Sequence, residues 1–314
     1  MSPTIRVHSK YILFAIAVVF VICTGFLSTT AIGSDSIGTA SSLATRKLRL
    51  DFDEANAWWK SAHDDPFQCH NKTSIKVSST PPMTMYAYTP EDDRWVSGSL
   101  TSGIPSVFFE APMRVLMLKA LEEHPGAVIL DIGANIGLHT VFFANAGYEV
   151  HAFEPYRATF SLLGCSVTKN NFHKVHLNNF GLGTSTNTTC ITESFGNRGH
   201  ATVQENTHCD PEQTIVVWTN TSKHTMIRVL AMKPVKEMFT LNPPAHVFSE
   251  FYAENMANVN VVPKEYMDLL FDIGYTIKIV SDVIQHGQII ERGSELYKEL
   301  IVSGMVDIHA YLKN

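Results

Sequence analysis

Hydrophobic and polar positions alternate along this chain in a way that predicts most of its elements. Residues 11–27 (YILFAIAVVFVICTGFL) form an uncharged apolar run, and Ser28 to Thr45 is small, polar and weakly patterned. Leu48 to Ala62 carries helical spacing, with Phe52, Ala55 and Trp59 on one side. Thr84 to Glu110 is aromatic and turn-rich, which predicts a small β cap in front of a sheet, with Tyr88 and Trp95 as candidates to stack on a sugar ring. Ala111 to Glu123 is amphipathic and predicts a helix. Short apolar runs at 128–130 and 150–153 predict strands around a helical segment. Thr159 to Asn171 then reads as a helix and Lys174 to Leu177 as a strand. Thr184 to Thr225 is long and polar, with β-like runs at 188–191 and 214–218, and predicts a surface hairpin. Further on, helices are expected at 264–271 and 294–301 and strands at 275–280 and 306–312. Strand and helix alternate to the end, the pattern of a single α/β domain.

The densest information lies in Ala127 to Pro155, AVILDIGANIGLHTVFFANAGYEVHAFEP. An apolar strand ends in Asp131, a turn containing Gly133, Ala134, Asn135 and Gly137 leads into a helix, and a second strand ends in Glu154. This is a βαβ unit of the kind that holds a nucleotide-like ligand. The glycines let the backbone turn sharply and approach a ligand. Glu154 offers acceptor oxygens suited to a ribose diol. A pyrophosphate-binding turn is expected to be G-x-G-x-x-G, whereas this one is D-x-G-x-N-x-G. A carboxylate beside a pyrophosphate is unfavourable, but beside the cationic amino-acid end of S-adenosylmethionine it is favourable.

Composition narrows the class of partner. The 314 residues are 45% hydrophobic and 17% charged, with net charge −6, and the pI is near 6.1. With no Lys/Arg run, nucleic acid is not expected as the partner. Arg6, His8 and Lys10 precede the apolar run and no basic residue follows closely, which predicts a signal anchor with the bulk of the chain outside the cytosol. The expected organisation is a cytosolic tail at 1–10, a transmembrane anchor at 11–31, a stem at 32–60 and a lumenal domain at 61–314. Ala31 and Gly33 leave cleavage and secretion open. Asn71-Lys-Thr, Asn187-Thr-Thr and Asn220-Thr-Ser are then glycosylation acceptors. Cys23 lies in the apolar run, and Cys69, Cys165, Cys190 and Cys209 allow two disulfides. Cys190–Cys209 is the preferred pair because both lie in the polar insertion. The spacings lack C-x-x-C, and no metal is expected; His200, His208 and Cys209 read as surface residues of that insertion.

VILDIGANIGLHTVFFANAGYEVHAFEP resembles the cofactor-binding core of the FkbM-type methyltransferases, a class I S-adenosylmethionine-dependent family. The likeness runs from about Ala87 to Val280 and is strongest over Val128 to Pro155. It implies a Rossmann-like fold with a mostly parallel, seven-stranded sheet and helices on both faces. It also implies methylation of hydroxyl oxygens, often on sugars. By that resemblance Asp131, Gly133, Ala134, Asn135 and Gly137 line the methionine side of S-adenosyl-L-methionine, Glu154 binds its ribose, and the loop around Asn178–Gly183 closes over the adenine.

The resemblance breaks after residue 239. The family pattern continues with a strand close to K-I-D-V-E-G, whereas this chain passes through TLNPP to AHVFSEFYAENM. Either Ala245 to Phe251 takes the central strand position, with Glu250 at its end, or that run is the following strand and the central one is missing. Glu250 is the candidate proton acceptor for a hydroxyl, with Glu254 and then His246 behind it. The expected protein is a type II membrane O-methyltransferase of the secretory pathway, in the Golgi, acting on a glycan hydroxyl. A degenerate methyltransferase fold with a binding role and a nicotinamide-dependent oxidoreductase remain as alternatives.

Overall fold

A computed structural model describes residues 19–23, 56–61, 65–182, 187–194, 196–204, 214–220, 243–258, 262–280 and 287–313. In chain order the elements are β1 (Val19–Cys23), β2 (Thr73–Val77), β3 (Met83–Ala87), α1 (Val96–Leu100), α2 (Ala111–Glu122), β4 (Val128–Ile132), α3 (Leu138–Asn145), β5 (Glu149–Phe153) and α4 (Arg157–Lys169). They continue with β6 (Val175–Asn178), β7 (Gly181–Leu182), β8 (Asn187–Ser194), β9 (Asn197–Gln204), β10 (Thr214–Asn220), β11 (His246–Tyr252), α5 (Ala253–Asn258), α6 (Pro263–Ile273), β12 (Thr276–Ile279), β13 (Ile289–Ile290), α7 (Glu295–Ser303) and β14 (Met305–Tyr311).

The protein is mixed α/β. Its main sheet has eight strands in the order β13-β12-β14-β11-β1-β4-β5-β6. β4, β5 and β6 are parallel neighbours. β1 is antiparallel to both β4 and β11, which makes β11 parallel to β4. β14 lies antiparallel between β11 and β12, and β13 closes the edge antiparallel to β12. The expected seven-stranded, mostly parallel sheet is therefore replaced by an eight-stranded mixed one.

The two strands next to the centre answer the question left by the sequence. β11 is not the neighbour of β4, so residues 245–251 do not take the central position. That slot is filled from far upstream, by Val19–Cys23, paired Val21↔Leu130 on one side and Val21↔Val247 on the other. Bare edges on β4 and β11 would leave two rows of backbone groups unpaired inside the sheet. These five residues lie within the run 11–31 expected to be a membrane anchor, and the rest of that run falls outside the described residues. Among the described residues no helix is long and apolar enough to cross a membrane.

Both faces of the sheet are covered. Met113, Met117 and Leu121 of α2 and Phe143 of α3 pack on Ile129, Val150 and Phe248. On the same face Phe160 and Leu163 of α4 pack on Ala152 and Leu177. The other face carries α6 and α7, whose Met267, Leu270, Tyr297 and Leu300 meet Val247, Phe251, Ile277 and Ile308. Local chemistry agrees with this packing. Pro263 starts α6, where its missing N–H costs nothing, and Gly274 ends it in the left-handed region at φ 101°. Ser294 caps α7 by accepting a hydrogen bond from Tyr297 N at 3.1 Å.

The β cap begins earlier than expected. It is a hairpin of β2 and β3, and Met83, Met85 and Ala87 bury against α3 and α4. The polar insertion forms a second sheet, β7-β10-β8-β9, larger than the expected hairpin. The Asp93–Asn197 bridge and the Arg198 N to Asp92 O bond (2.9 Å) tie it to the segment before α1. Residues 56–60, at the end of the expected stem, form a helical turn that places Trp58 and Trp59 against Phe67 and Phe160. Cys69 is bonded to Cys165 of α4, which fixes that segment to the core. This pairing is compatible with the expected Cys190–Cys209 bridge, which lies outside the described side chains.

Candidate functional site

The carboxyl ends of β4 and β5 stand where the strand order reverses: β5 and β6 lie to one side of β4, and β11 and β12 to the other. Ligands of open α/β sheets bind at such a reversal. The turn after β4 is locked onto β5, with Gly133 N and Ala134 N both donating to Phe153 O at 2.9 and 3.0 Å. Gly133 has φ 77° and Asn135 φ 55°, the left-handed region where Asn is the best tolerated of the larger residues. Asn135 N donates to Glu154 Oε2 at 2.9 Å, and its Oδ1 accepts from Ile136 N at 2.7 Å. Gly137 opens α3 at φ 88°, and a Cβ there would lie 2.3 Å from Leu163 Cδ1. It is glycine so that α3 and α4 can pack closely.

All six expected cofactor residues thus meet at one place. Asp131 is 1% exposed, and its Oδ2 accepts a hydrogen bond from Thr140 while Oδ1 has no partner. Burial raises its carboxyl to about 6, with the hydrogen bond from Thr140 opposing the rise. Glu154 accepts from Asn135 N and, through Oε1, from Tyr156 N at 2.8 Å. Burial raises it to about 8. Protonated at neutral pH, Glu154 can offer an incoming hydroxyl both an acceptor and a donor. Asn179 of the expected adenine loop reaches the same strand end, donating to Glu154 O at 2.8 Å and accepting from Trp58 Nε1 at 2.9 Å. The Arg157 guanidinium lies 3.9 Å from the Trp58 ring centre.

A second group of acids continues the site. Glu110 sits at φ 55° just before α2, and its Oε2 lies 2.8 Å from Nε2 of His139, in the first turn of α3. Both side chains are 8% exposed. Glu250 of β11 stands opposite Asp307 of β14, and one oxygen from each of Glu110, Glu250 and Asp307 falls within 4.8 Å of the others. Burial raises Glu110 to about 7, partly offset by Arg114 one helical turn on. Glu250 lies well above the usual carboxylate range, first through burial and then through Glu110 and Asp307. His139 is lowered to about 3 by burial and by Arg114, and stays neutral. Arg114, itself 1% exposed, turns back to the carbonyls of Phe109, Pro105 and Phe108. Like charges this close cannot all ionise, so the acids share protons near neutral pH. Such a set can take up a proton or hold a hard cation through oxygen ligands.

Glu250 therefore lies in one chain of contacts with Glu110 and His139, which adjoins the turn after β4. The other two proton-acceptor candidates do not. Glu254 is exposed in α5. His246 lies at the opposite end of β11, in a row of histidines, with His124 Nε2 and His309 Nε2 each 2.9 Å away. Tyr88 is hydrogen-bonded to Thr159 Oγ1 at 2.9 Å and packs inside the hairpin core, whereas Trp95 is 40% exposed. The side chain of His200, and His208 and Cys209, lie outside the described residues. Sequence reading missed Glu110, His139 and Asp307. The first two had signals, an acid just ahead of a proline-led helix and a histidine two residues past Gly137. Asp307 had none, because only sheet pairing sets it against Glu250.

Comparisons with protein-family models, with curated proteins and with solved structures find no match to this chain.

Proposed function

We propose that this protein is an S-adenosylmethionine-dependent O-methyltransferase whose acceptor is a carbohydrate hydroxyl. The observation that carries the reading is Asp131. A buried carboxylate oxygen without a partner, at the end of β4 and beside a left-handed Asn/Gly turn, suits a cationic donor. The ammonium group of S-adenosylmethionine is such a donor, and Glu154 at the next strand end suits its ribose. When bound, the cofactor supplies an electrophilic methyl group on a positively charged sulfur. The residues of this chain do the rest. Asp131 holds the amino-acid end by charge, and Glu154 and the Asn135 turn fix the ribose. Trp58 and Asn179 border the adenine side. The hydroxyl proton passes to an unprotonated oxygen of the Glu110–Glu250 pair, whose acids share protons near neutral pH.

The Cys69–Cys165 disulfide and the exposed acceptor Asn71 support an oxidising, secretory setting. Membrane anchoring by residues 11–31 belongs to the same reading, but it requires the residues that form β1. A catalytically degenerate relative is the second reading. It is favoured by β1 itself, which is antiparallel and brings Val19 to the carboxyl end of β4 where the family pattern has an acid.

Calorimetric titration of the full chain with S-adenosylhomocysteine tests the proposal. Micromolar binding is expected. Asp131→Asn removes one charge-assisted bond, for which roughly 1.5–3 kcal/mol predicts a loss of about ten- to hundredfold. A folded protein that does not bind, or binds equally in Asp131→Asn, overturns the site.

A further inference from the structure

Far from the switch point, at the opposite end of β5, three ligand-type side chains converge. β5 and β6 are parallel, with His151 paired to His176 across the ladder. Side chains alternate along a strand, so Glu149 and His151, two residues apart, project from the same face of β5. Val150 and Ala152 take the other face and bury under the helices. On β6, Val175 and Leu177 likewise face α4, which leaves His176 beside His151. Register and alternation alone thus bring a carboxylate and two imidazoles together at an outer edge of the main sheet.

The distances suit an ion. One donor atom from each of Glu149, His151 and His176 lies within 4.8 Å of the others. Glu149 Oε1 is 3.0 Å from His176 Nε2 and 3.5 Å from His151 Nε2. In a tetrahedral zinc site with bonds near 2.1 Å, neighbouring ligand atoms are about 3.4 Å apart. The rings stack with centres 4.2 Å apart, so both present their edges to the same carboxylate.

We propose that Glu149, His151 and His176 form a binding site for a divalent transition-metal ion, zinc in the first instance. Imidazole nitrogen with one carboxylate oxygen suits zinc, nickel and copper, and disfavours magnesium and calcium. Three protein ligands leave a fourth position for water. The ion joins β6, the last strand of the sheet, to β5 and stiffens an edge otherwise held by backbone pairing on one side only. The site shares no residue with the cofactor cleft, so it stands whether or not the proposed methyl transfer is correct.

The test is titration of the metal-free full chain with ZnCl2, by calorimetry and by thermal unfolding. One equivalent is expected to bind with micromolar affinity and to raise the melting temperature. His176→Gln and His151→Ala should each weaken that binding at least tenfold, with an unchanged melting temperature in the absence of zinc showing that the variants fold. Among the described residues the acidic group Glu110, Glu250 and Asp307 is the other such cluster, and zinc binding should remain intact in Glu250→Gln. The proposal is overturned by absence of binding at 100-fold the protein concentration, by binding that survives both histidine substitutions, or by binding lost in Glu250→Gln.

Discussion

Val21→Pro is the most informative single change, because it decides how the residues of the apolar N-terminal run are used. In the structure Val21 lies mid-strand between Leu130 of β4 and Val247 of β11. Proline removes the N–H, which orphans one carbonyl inside the sheet, and its ring pushes against the neighbouring strand. A buried unsatisfied carbonyl costs about 1–3 kcal/mol, and with the ring clash a total of roughly 3 kcal/mol is expected. At about 2–4 °C per kcal/mol for a domain of this size, the melting temperature should fall by roughly 6–12 °C. Val21→Thr keeps the N–H and the β-branched shape and serves as the control. In a membrane-spanning helix, by contrast, proline is tolerated, because neighbouring groups satisfy the freed backbone. The assay is thermal unfolding of the full chain together with amide hydrogen exchange over residues 128–132 and 246–252. Loss of protection in both segments, with the lower melting temperature, places the segment in the sheet. A melt within about 2 °C of the parent and unchanged exchange in β4 and β11 would refute the pairing, and would return residues 11–31 to the membrane.

Other outcomes follow from the same structure. Cys69→Ala opens the Cys69–Cys165 bridge, whose sequence separation is 96. The loop-entropy relation gives about 4.7 kcal/mol, so the melting temperature should drop by roughly 10–20 °C, and a melt indifferent to reductant in the parent would count against the bridge. Glu154, Glu110 and Asp131, raised to about 8, 7 and 6, bind protons more tightly folded than unfolded. The burial penalty of each therefore accumulates as pH rises from the ordinary carboxylate range to its folded value. Stability should increase on going from pH 8.5 to 6.5, chiefly through Glu154 and in part through Glu110, by up to about 1.4 kcal/mol per group and pH unit. The share of Asp131 appears only below about pH 6. Chemical denaturation across that range measures it; a decrease on acidification contradicts the assignment, and Glu154→Gln should flatten the profile. Glu250→Gln relieves the crowded acids, so at pH 8 it should raise the melting temperature by a few degrees. It should also cut methyl transfer from labelled S-adenosylmethionine to glycan acceptors by at least about a hundredfold, with binding of S-adenosylhomocysteine unchanged. Unimpaired transfer removes the pair from the mechanism.

Residues close in sequence were legible before any fold was known. The βαβ unit from Val128 to Pro155, its turn and its two strand-end acids are local features. Their chemistry follows from where glycine and Asn permit a left-handed backbone and where an apolar run stops at a carboxylate. The helices at 263–273 and 295–303 were legible for the same reason, since spacing, a leading proline or serine and a closing glycine are all written within a few residues. What lay outside the sequence was long-range pairing. Filling the central slot with Val19–Cys23 joins positions more than a hundred residues apart, and an apolar run reads the same whether a membrane or a sheet receives it. Glu110, His139, Glu250 and Asp307 come from a loop, a helix and two antiparallel strands, so no spacing connects them. Glu149, His151 and His176 depend on which residue of β6 faces which of β5, and a shift of one position would turn His176 to the other face. The turn from Gly133 to Gly137 could be read from its own residues, because its geometry is local. Which acids share a proton and which histidines share a carboxylate depends on the pairing of distant strands, because those contacts exist only once the strands are in register.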